Sequence, residues 1–130
     1  MRAFVDTNVL IRHLTGDPPA QARRATRLLA RADQLLLADL IVAEVVYVLE
    51  SFYQLPPSEV ARLVRAIVVD RRIVVVDSEL LLRAIELYDD ERLDFADAYL
   101  VASAEVSGVG DVVSFDRAID RAGTVRRLSP

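Results

Sequence analysis

The chain has 130 residues, of which 53% are hydrophobic, and this length suits one domain, residues 1–130, with a sizeable core. It has no cysteine, which excludes disulfides and thiolate metal sites, and no apolar run long enough for a membrane span, so a cytoplasmic protein is expected. All 16 basic residues are arginine, and a net charge of −4 is not typical of non-specific nucleic-acid coating.

Short β-rich runs alternate with longer helical ones along the chain. The predicted strands lie near Ala3–Val5, Leu35–Ala38, Ile73–Val76, Val112–Phe115 and Val125–Leu128. The predicted helices lie near Asn8–Leu14, Pro19–Ala32, Leu40–Tyr53, Ser58–Val69, Glu79–Tyr88, Phe95–Val106 and Arg117–Arg121. This alternation predicts an α/β fold in which helices flank a central parallel sheet of four to five strands. The first four strands are apolar throughout, which predicts a sheet buried on both faces.

Each of the first four predicted strands ends at an aspartate that precedes a helix. These residues are Asp6, Asp39, Asp77 and Asp116. Ligands of open α/β sheets bind at the carboxyl ends of the strands. Aspartate is also a favoured helix N-cap, however, so position alone does not separate a cap from a ligand. Asp39 and Asp77 have the character of plain caps.

Glu44 stands among apolar residues in the stretch "LIVAEVVYVLE". A helix that is apolar on all sides is typically buried, and an unpaired buried carboxylate costs several kcal/mol. Glu44 therefore needs a partner, which is either an arginine or a metal ion. Asp97 poses the same question in "LDFADAYLVASAEV", where Asp94 is a credible N-cap and Asp97 occupies the third helical position.

Asp6, Glu44, Asp97 and Asp116 are the candidate acids: two follow strands and two lie in helices. Carboxylates that converge without compensation repel one another, which raises their pKa values. Such a set of hard oxygen ligands suits Mg²⁺ or Mn²⁺ rather than zinc or copper, and carboxylate-held Mg²⁺ chiefly serves phosphate chemistry.

Four segments, in order, resemble a PIN-domain ribonuclease of the VapC-type toxins found in type II toxin–antitoxin pairs. They are "FVDTNVLI", "ADLIVAEVVYVL", "RLDFADAYLVASA" and "VVSFDRAID". The resemblance implies a PIN-like three-layer fold and an Mg²⁺- or Mn²⁺-dependent endoribonuclease. It assigns the catalytic, metal-binding roles to Asp6, Glu44, Asp97 and Asp116. The implied supporting residues are Thr7, Asn8, Asp94 and Ser114, and Ser114 stands where the family often has threonine.

The resemblance also implies partners: an RNA substrate, a cognate VapB-type antitoxin and a second copy of the chain in a homodimer, with no membrane. Four arginines lie largely along one side of the second helix (Arg23, Arg24, Arg27 and Arg31), either as a solvated face or, as a hypothesis, as contacts to the RNA backbone. The alternative function is a PIN-like domain that binds RNA or protein without cutting, and the intact acidic set argues against it.

Overall fold

The computed structural model describes every residue from Met1 to Pro130. Its strands are β1 (Arg2–Phe4), β2 (Gln34–Leu36), β3 (Ile73–Val74), β4 (Asp111–Val113) and β5 (Arg126–Leu128). Its helices are α1 (Thr7–Thr15), α2 (Pro19–Arg31), α3 (Asp39–Ser51), α4 (Pro57–Val68), α5 (Ser78–Asp90), α6 (Phe95–Ser107) and a 3-10 helix (Arg117–Ala122). Every predicted element is present, with bounds that differ by at most about two residues.

The chain forms two compact units, and the first is Met1–Val76. Its three strands form a parallel sheet in the order β1-β2-β3, with Ala3 opposite Leu35 and Leu35 opposite Ile73. Helix α1 packs against both α2 and α3, and α3 packs against α4. Helix α2 buries only Ala22, Ala25 and Leu29, and its arginines are exposed to solvent.

The second unit, Asp77–Pro130, is built on the pairing of α5 with α6. Small residues of α6, Ala98 and Ala102, are fully buried and allow this close approach. Strands β4 and β5 form a two-stranded parallel sheet, and α6 packs on β4. None of the helices in the chain combines the length and apolar character needed to cross a lipid bilayer.

The predicted α/β class is confirmed, with helices that flank parallel strands. The strands are divided into a group of three and a group of two. The prediction that the first four strands are buried on both faces is wrong at β1 and β4, because Phe4 is 77% exposed and Val113 is 67% exposed. A strand of three residues turns its central residue to one face and the outer two to the other, and in β4 only the central Val112 is covered.

One ion pair joins the two long helices of the second unit. Arg83 binds both carboxylate oxygens of Glu105, at 2.7 and 2.9 Å, and Glu105 also accepts a hydrogen bond from Thr124. The Arg83 contacts hold the pKa of Glu105 below its ordinary value. Only 17% of the Glu105 side chain is exposed, so solvent screens this pair weakly.

We expect Glu105→Gln to lower the free energy of unfolding by about 1–2 kcal/mol at neutral pH. Because the folded-state pKa is depressed, the pair stabilises the protein above pH 4.5, and this stabilisation is lost as pH falls through the folded-state pKa. Urea unfolding of both proteins at pH 7 and at pH 3 measures the difference. Glu86→Gln is the control: Glu86 also pairs with Arg83 but is 54% exposed, so its loss costs only about 0.3 kcal/mol. Equal effects of the two variants would contradict the assignment.

Candidate active site

Asp6 lies between the end of β1 and the start of α1, where the sequence left capping and ligand binding open. Its backbone is extended, as expected of an N-cap residue, yet its side chain makes no capping hydrogen bond to α1. The carboxylate is exposed to solvent. Capping therefore does not explain an acid at this position.

Thr7, the first residue of α1, is the one buried polar side chain in the chain, with 7% exposure. Its hydroxyl donates a hydrogen bond of 2.5 Å to Oε2 of Glu44 on α3. This bond ties Glu44 to the residue that follows Asp6, so the two acids of the first unit belong to one local arrangement. Within the chain the partner of Glu44 is thus a hydroxyl, and no arginine forms an ion pair with it.

The prediction that Glu44 is buried is wrong. Glu44 is exposed, and its neighbours one turn away are exposed as well, Leu40 at 75% and Tyr47 at 68%. The opposite face of α3 supplies the core through Val42, Val45, Val46 and Leu49. Apolar residues on the solvent side made the helix resemble a buried one, so the argument from burial did not apply.

In the second unit, Asp94 caps α6 as predicted, since its side chain accepts a 2.8 Å hydrogen bond from the backbone N–H of Asp97. Asp97 itself is half-buried, and its carboxyl lies in contact with that of Asp116. Burial, the negative charge of Asp94 and the contact with Asp116 together raise the pKa of Asp97 to about 6. When both carboxyl groups are ionised their charges repel, so Asp97 holds its proton more tightly than an isolated aspartate does.

Asp116 both contacts Asp97 and caps the 3-10 helix. Its Oδ1 accepts a 2.9 Å hydrogen bond from the N–H of Ala118. Its own N–H donates to the hydroxyl of Ser114, also at 2.9 Å, and Arg127 donates to the Ser114 carbonyl at 3.1 Å. The hydroxyl at position 114 therefore fixes the backbone that carries Asp116.

The two acids predicted as plain caps differ. Asp77 caps α5 by accepting a 3.0 Å hydrogen bond from the N–H of Leu80, so that prediction is confirmed. Asp39 is the first residue of α3 itself, the N-cap position is Ala38, and no side chain caps this helix. The prediction for Asp39 is wrong, because the helix begins one residue earlier than expected; its charge instead lies in the first turn, where the helix dipole favours an acid.

The predicted acids thus form two groups. Asp94, Asp97 and Asp116 interact in the second unit, while Thr7 links Glu44 to the residue beside Asp6 in the first. No three Asp, Glu or His side chains are arranged to hold one metal ion. The donors nevertheless fit a divalent cation in their chemistry: all are carboxylate oxygens, and a cation would relieve the repulsion between Asp97 and Asp116.

A groove of about 480 Å³ runs between α1 and α2. Its polar side chains are Asn8 and Arg12 on α1, and Gln21, Arg24, Arg27 and Arg31 on α2. Arg23, grouped with the other α2 arginines in the sequence analysis, instead lines a neighbouring groove that His13 also lines. Arg12 was not predicted from the sequence, although it lies one helical turn after Asn8 and so shares its face of α1.

Comparison with known proteins shows the family of the chain. The PIN domain family model matches residues 3–125, nearly the full chain. A search of curated proteins finds no significant match. PIN domains are generally nucleases that use divalent metals, in agreement with acids that follow parallel strands and with the contact between the carboxyl groups of Asp97 and Asp116. The chain therefore belongs to the PIN-domain family.

Proposed function

We propose that this protein is an Mg²⁺- or Mn²⁺-dependent endoribonuclease that acts in the cytoplasm as the toxin of a type II toxin–antitoxin pair. The observation that carries the proposal is the Asp97–Asp116 carboxyl contact, in a chain that the PIN family model matches nearly throughout and that has every expected acid. Two adjacent carboxyls beside the charge of Asp94 make a site that gains from a cation.

The residues that would hold the ion are Asp6, Glu44, Asp97 and Asp116. When bound, the ion would make a coordinated water more acidic and stabilise negative charge on the phosphoryl oxygens. The chain itself orients these acids: Thr7 fixes Glu44 through its hydroxyl. Hydrogen bonds of Asp94 and Ser114 to backbone N–H groups fix the segments that carry Asp97 and Asp116.

The arginines of α2 supply the contact with RNA in this proposal. Arg23, Arg24, Arg27 and Arg31 are all exposed. Three of them line the groove that Asn8 also lines, so they lie on the side of α2 that faces the acid-bearing end of α1. Arginine guanidinium groups bind phosphate oxygens in a bidentate way.

A homodimer and a VapB-type antitoxin belong to the same proposal. Their support is the resemblance to VapC-type toxins, together with exposed apolar side chains on and after α3. Leu40 and Phe52 are each 75% exposed and Tyr47 is 68% exposed. Exposed apolar residues on one helix are typical of surfaces that meet another protein.

We expect the purified protein to cleave a pool of cellular RNA with Mg²⁺ or Mn²⁺ and to lose this activity in excess EDTA, because no lysine or second histidine is present to take over the chemistry. Gel analysis of the products measures cleavage, and restored activity on adding back the metal excludes damage by the chelator. Cleavage that persists in EDTA would contradict metal dependence. Binding without cleavage would favour the non-cutting alternative.

The toxin role has its own readout. Induced expression of the protein in bacterial cells should arrest growth, and expression of Asp97→Asn to the same level should not. Growth arrest by both proteins would show that toxicity does not come from cleavage.

A further inference from the structure

We infer that the α1–α2 groove binds the phosphate backbone of an RNA strand, and that Arg12, held in place by Gln21, is the fork that grips a phosphate beside the acid-bearing end of α1. The inference rests on the proposed function but concerns a residue and a contact that the family resemblance does not assign. It follows from the charge of the groove, from the way Arg12 is anchored and from its position along α1.

The groove concentrates positive charge in a chain that is acidic overall. Four arginines line it, Arg12, Arg24, Arg27 and Arg31, and no acidic side chain does. None of the four takes part in an ion pair. Such a surface attracts a polyanion and retains its full charge for it.

Five of the twelve arginines outside the groove form ion pairs with carboxylates. Arg72 binds Asp70 at 2.7 Å, and Arg126 binds Asp111 at 2.8 Å. The tightness of the first pair is seen in Asp70, whose pKa the Arg72 contacts lower to about 2. Those arginines are paired with carboxylates, whereas the groove arginines form no ion pair.

Arg12 is fixed in place without being neutralised. Its Nε donates a 2.9 Å hydrogen bond to Oε1 of Gln21, a neutral amide. The two terminal nitrogens of the guanidinium keep their donors for a bidentate contact with phosphate. Because Gln21 already restricts the long side chain, less conformational entropy is lost when a phosphate binds.

The position of Arg12 connects the groove to the acids. Asn8 lines the same groove and follows Thr7, whose hydroxyl holds Glu44. Arg12 lies four residues further along α1, a rise of about 6 Å, on the same face. A strand that follows the groove would therefore pass Arg12 on its way to the Asp6 end of the helix.

The test compares variants that change either the Arg12 guanidinium or Gln21, the residue that holds it. Arg12→Ala removes the fork, and Gln21→Glu places a carboxylate against it. We expect both to weaken binding of a fluorescein-labelled single-stranded RNA about tenfold, measured by anisotropy in EDTA so that no cleavage occurs. The slope of log affinity against log salt should fall by about 0.7, because one arginine no longer neutralises a phosphate.

The Gln21→Glu variant distinguishes an RNA-binding role of Arg12 from a merely structural one. A merely structural Arg12–Gln21 contact would gain an ion pair in this variant, so thermal stability would hold or rise while RNA affinity stayed the same. We expect stability to hold and affinity to fall. Arg12→Lys serves as a second variant that retains charge but lacks the fork, with an intermediate loss expected. Arg62→Ala is the matched control, since Arg62 is exposed on α4 and already paired with Glu59.

The outcomes separate this inference from the proposed function. Unchanged affinity and salt slope in both Arg12→Ala and Gln21→Glu would overturn the inference even if the parent protein cleaves RNA. Weakened RNA binding in both variants would support the inference even if the parent protein cleaves no RNA. Absence of cleavage by the parent would contradict only the proposed function. Displacement of the RNA by a polyglutamate peptide of equal charge at equal concentration would overturn the assignment to RNA, because the groove would then be a general anion site.

Discussion

Asp97→Asn is expected to abolish RNA cleavage while it makes the metal-free protein more stable. The loss of cleavage should be roughly a thousandfold or more, because a metal ligand contributes several kcal/mol to transition-state stabilisation. The gain in stability has a separate origin. In the folded protein, burial, the charge of Asp94 and the contact with Asp116 all disfavour an ionised Asp97. An amide of the same shape carries no charge and keeps the packing.

The raised pKa of Asp97 determines at which pH the substitution stabilises the protein. The pKa of Asp97 rises from 3.8 to about 6 on folding, so the folded protein holds this proton more tightly than the unfolded chain does. Above pH 6 the ionised side chain therefore costs free energy of folding, up to about 3 kcal/mol, which solvent exposure of the half-buried group reduces to about 1 kcal/mol. The asparagine variant should gain that amount at pH 7.5 and nothing at pH 3.5.

Denaturant unfolding at the two pH values, without metal, checks this expectation. Mg²⁺ should then stabilise the parent protein and stabilise Asp97→Asn less, because the variant has already lost the repulsion that the cation relieves. A variant that is folded and cleaves at the parental rate would contradict the assignment of Asp97. A variant less stable than the parent at pH 7.5 would contradict the argument from charge repulsion. The role of Asp97 in cleavage would then rest on the cleavage assay alone.

The sequence predicted the order and approximate bounds of every strand and helix, because periodicity and the residues at the ends of elements act locally. Asp77 and Asp94 are clear examples: each precedes a helix and each accepts the hydrogen bond expected of a cap. Such predictions need only the residues a few positions away. They succeed wherever the local preference and the final fold agree.

Predictions that depended on distant neighbours were less accurate. The burial of Glu44 was inferred from apolar residues on both sides of α3, but what covers a helix face is decided by other elements, and the face with Leu40 and Tyr47 is uncovered. Arg12 was missed for the same reason. Its significance comes from Gln21 on another helix, and one sequence contains no signal of that pairing.

The structure also separates two uses of the same residue type. Asp94 and Asp116 accept hydrogen bonds from the helices that they precede, and Asp116 contacts Asp97 as well. Asp6 precedes a helix in the same way but gives it no side-chain bond. A cap stabilises its helix, so an aspartate that stands in the cap position without capping leaves its carboxylate available for another role.

Asp6→Asn is expected to abolish cleavage without a change in stability. Since the Asp6 side chain makes no bond to α1, the free energy of unfolding should stay within about 0.5 kcal/mol of the parent value. The loss of one carboxylate ligand should reduce cleavage by roughly a thousandfold or more. Cleavage assays with Mg²⁺, paired with urea unfolding of the same preparations, measure both quantities.

Asp94→Ala provides the contrast for Asp6, because it removes a side chain that does cap a helix. This control should lower the free energy of unfolding by about 1 kcal/mol, since the N–H of Asp97 then has no side-chain acceptor. If Asp6→Asn destabilised the protein by as much, Asp6 would be a structural residue after all. If it cleaved RNA at the parental rate, the site would have to be rebuilt from the acids of the second unit alone. Unchanged stability together with lost cleavage would support metal binding as the role of the Asp6 carboxylate. Loss of a cap or of packing contacts would instead have lowered the free energy of unfolding.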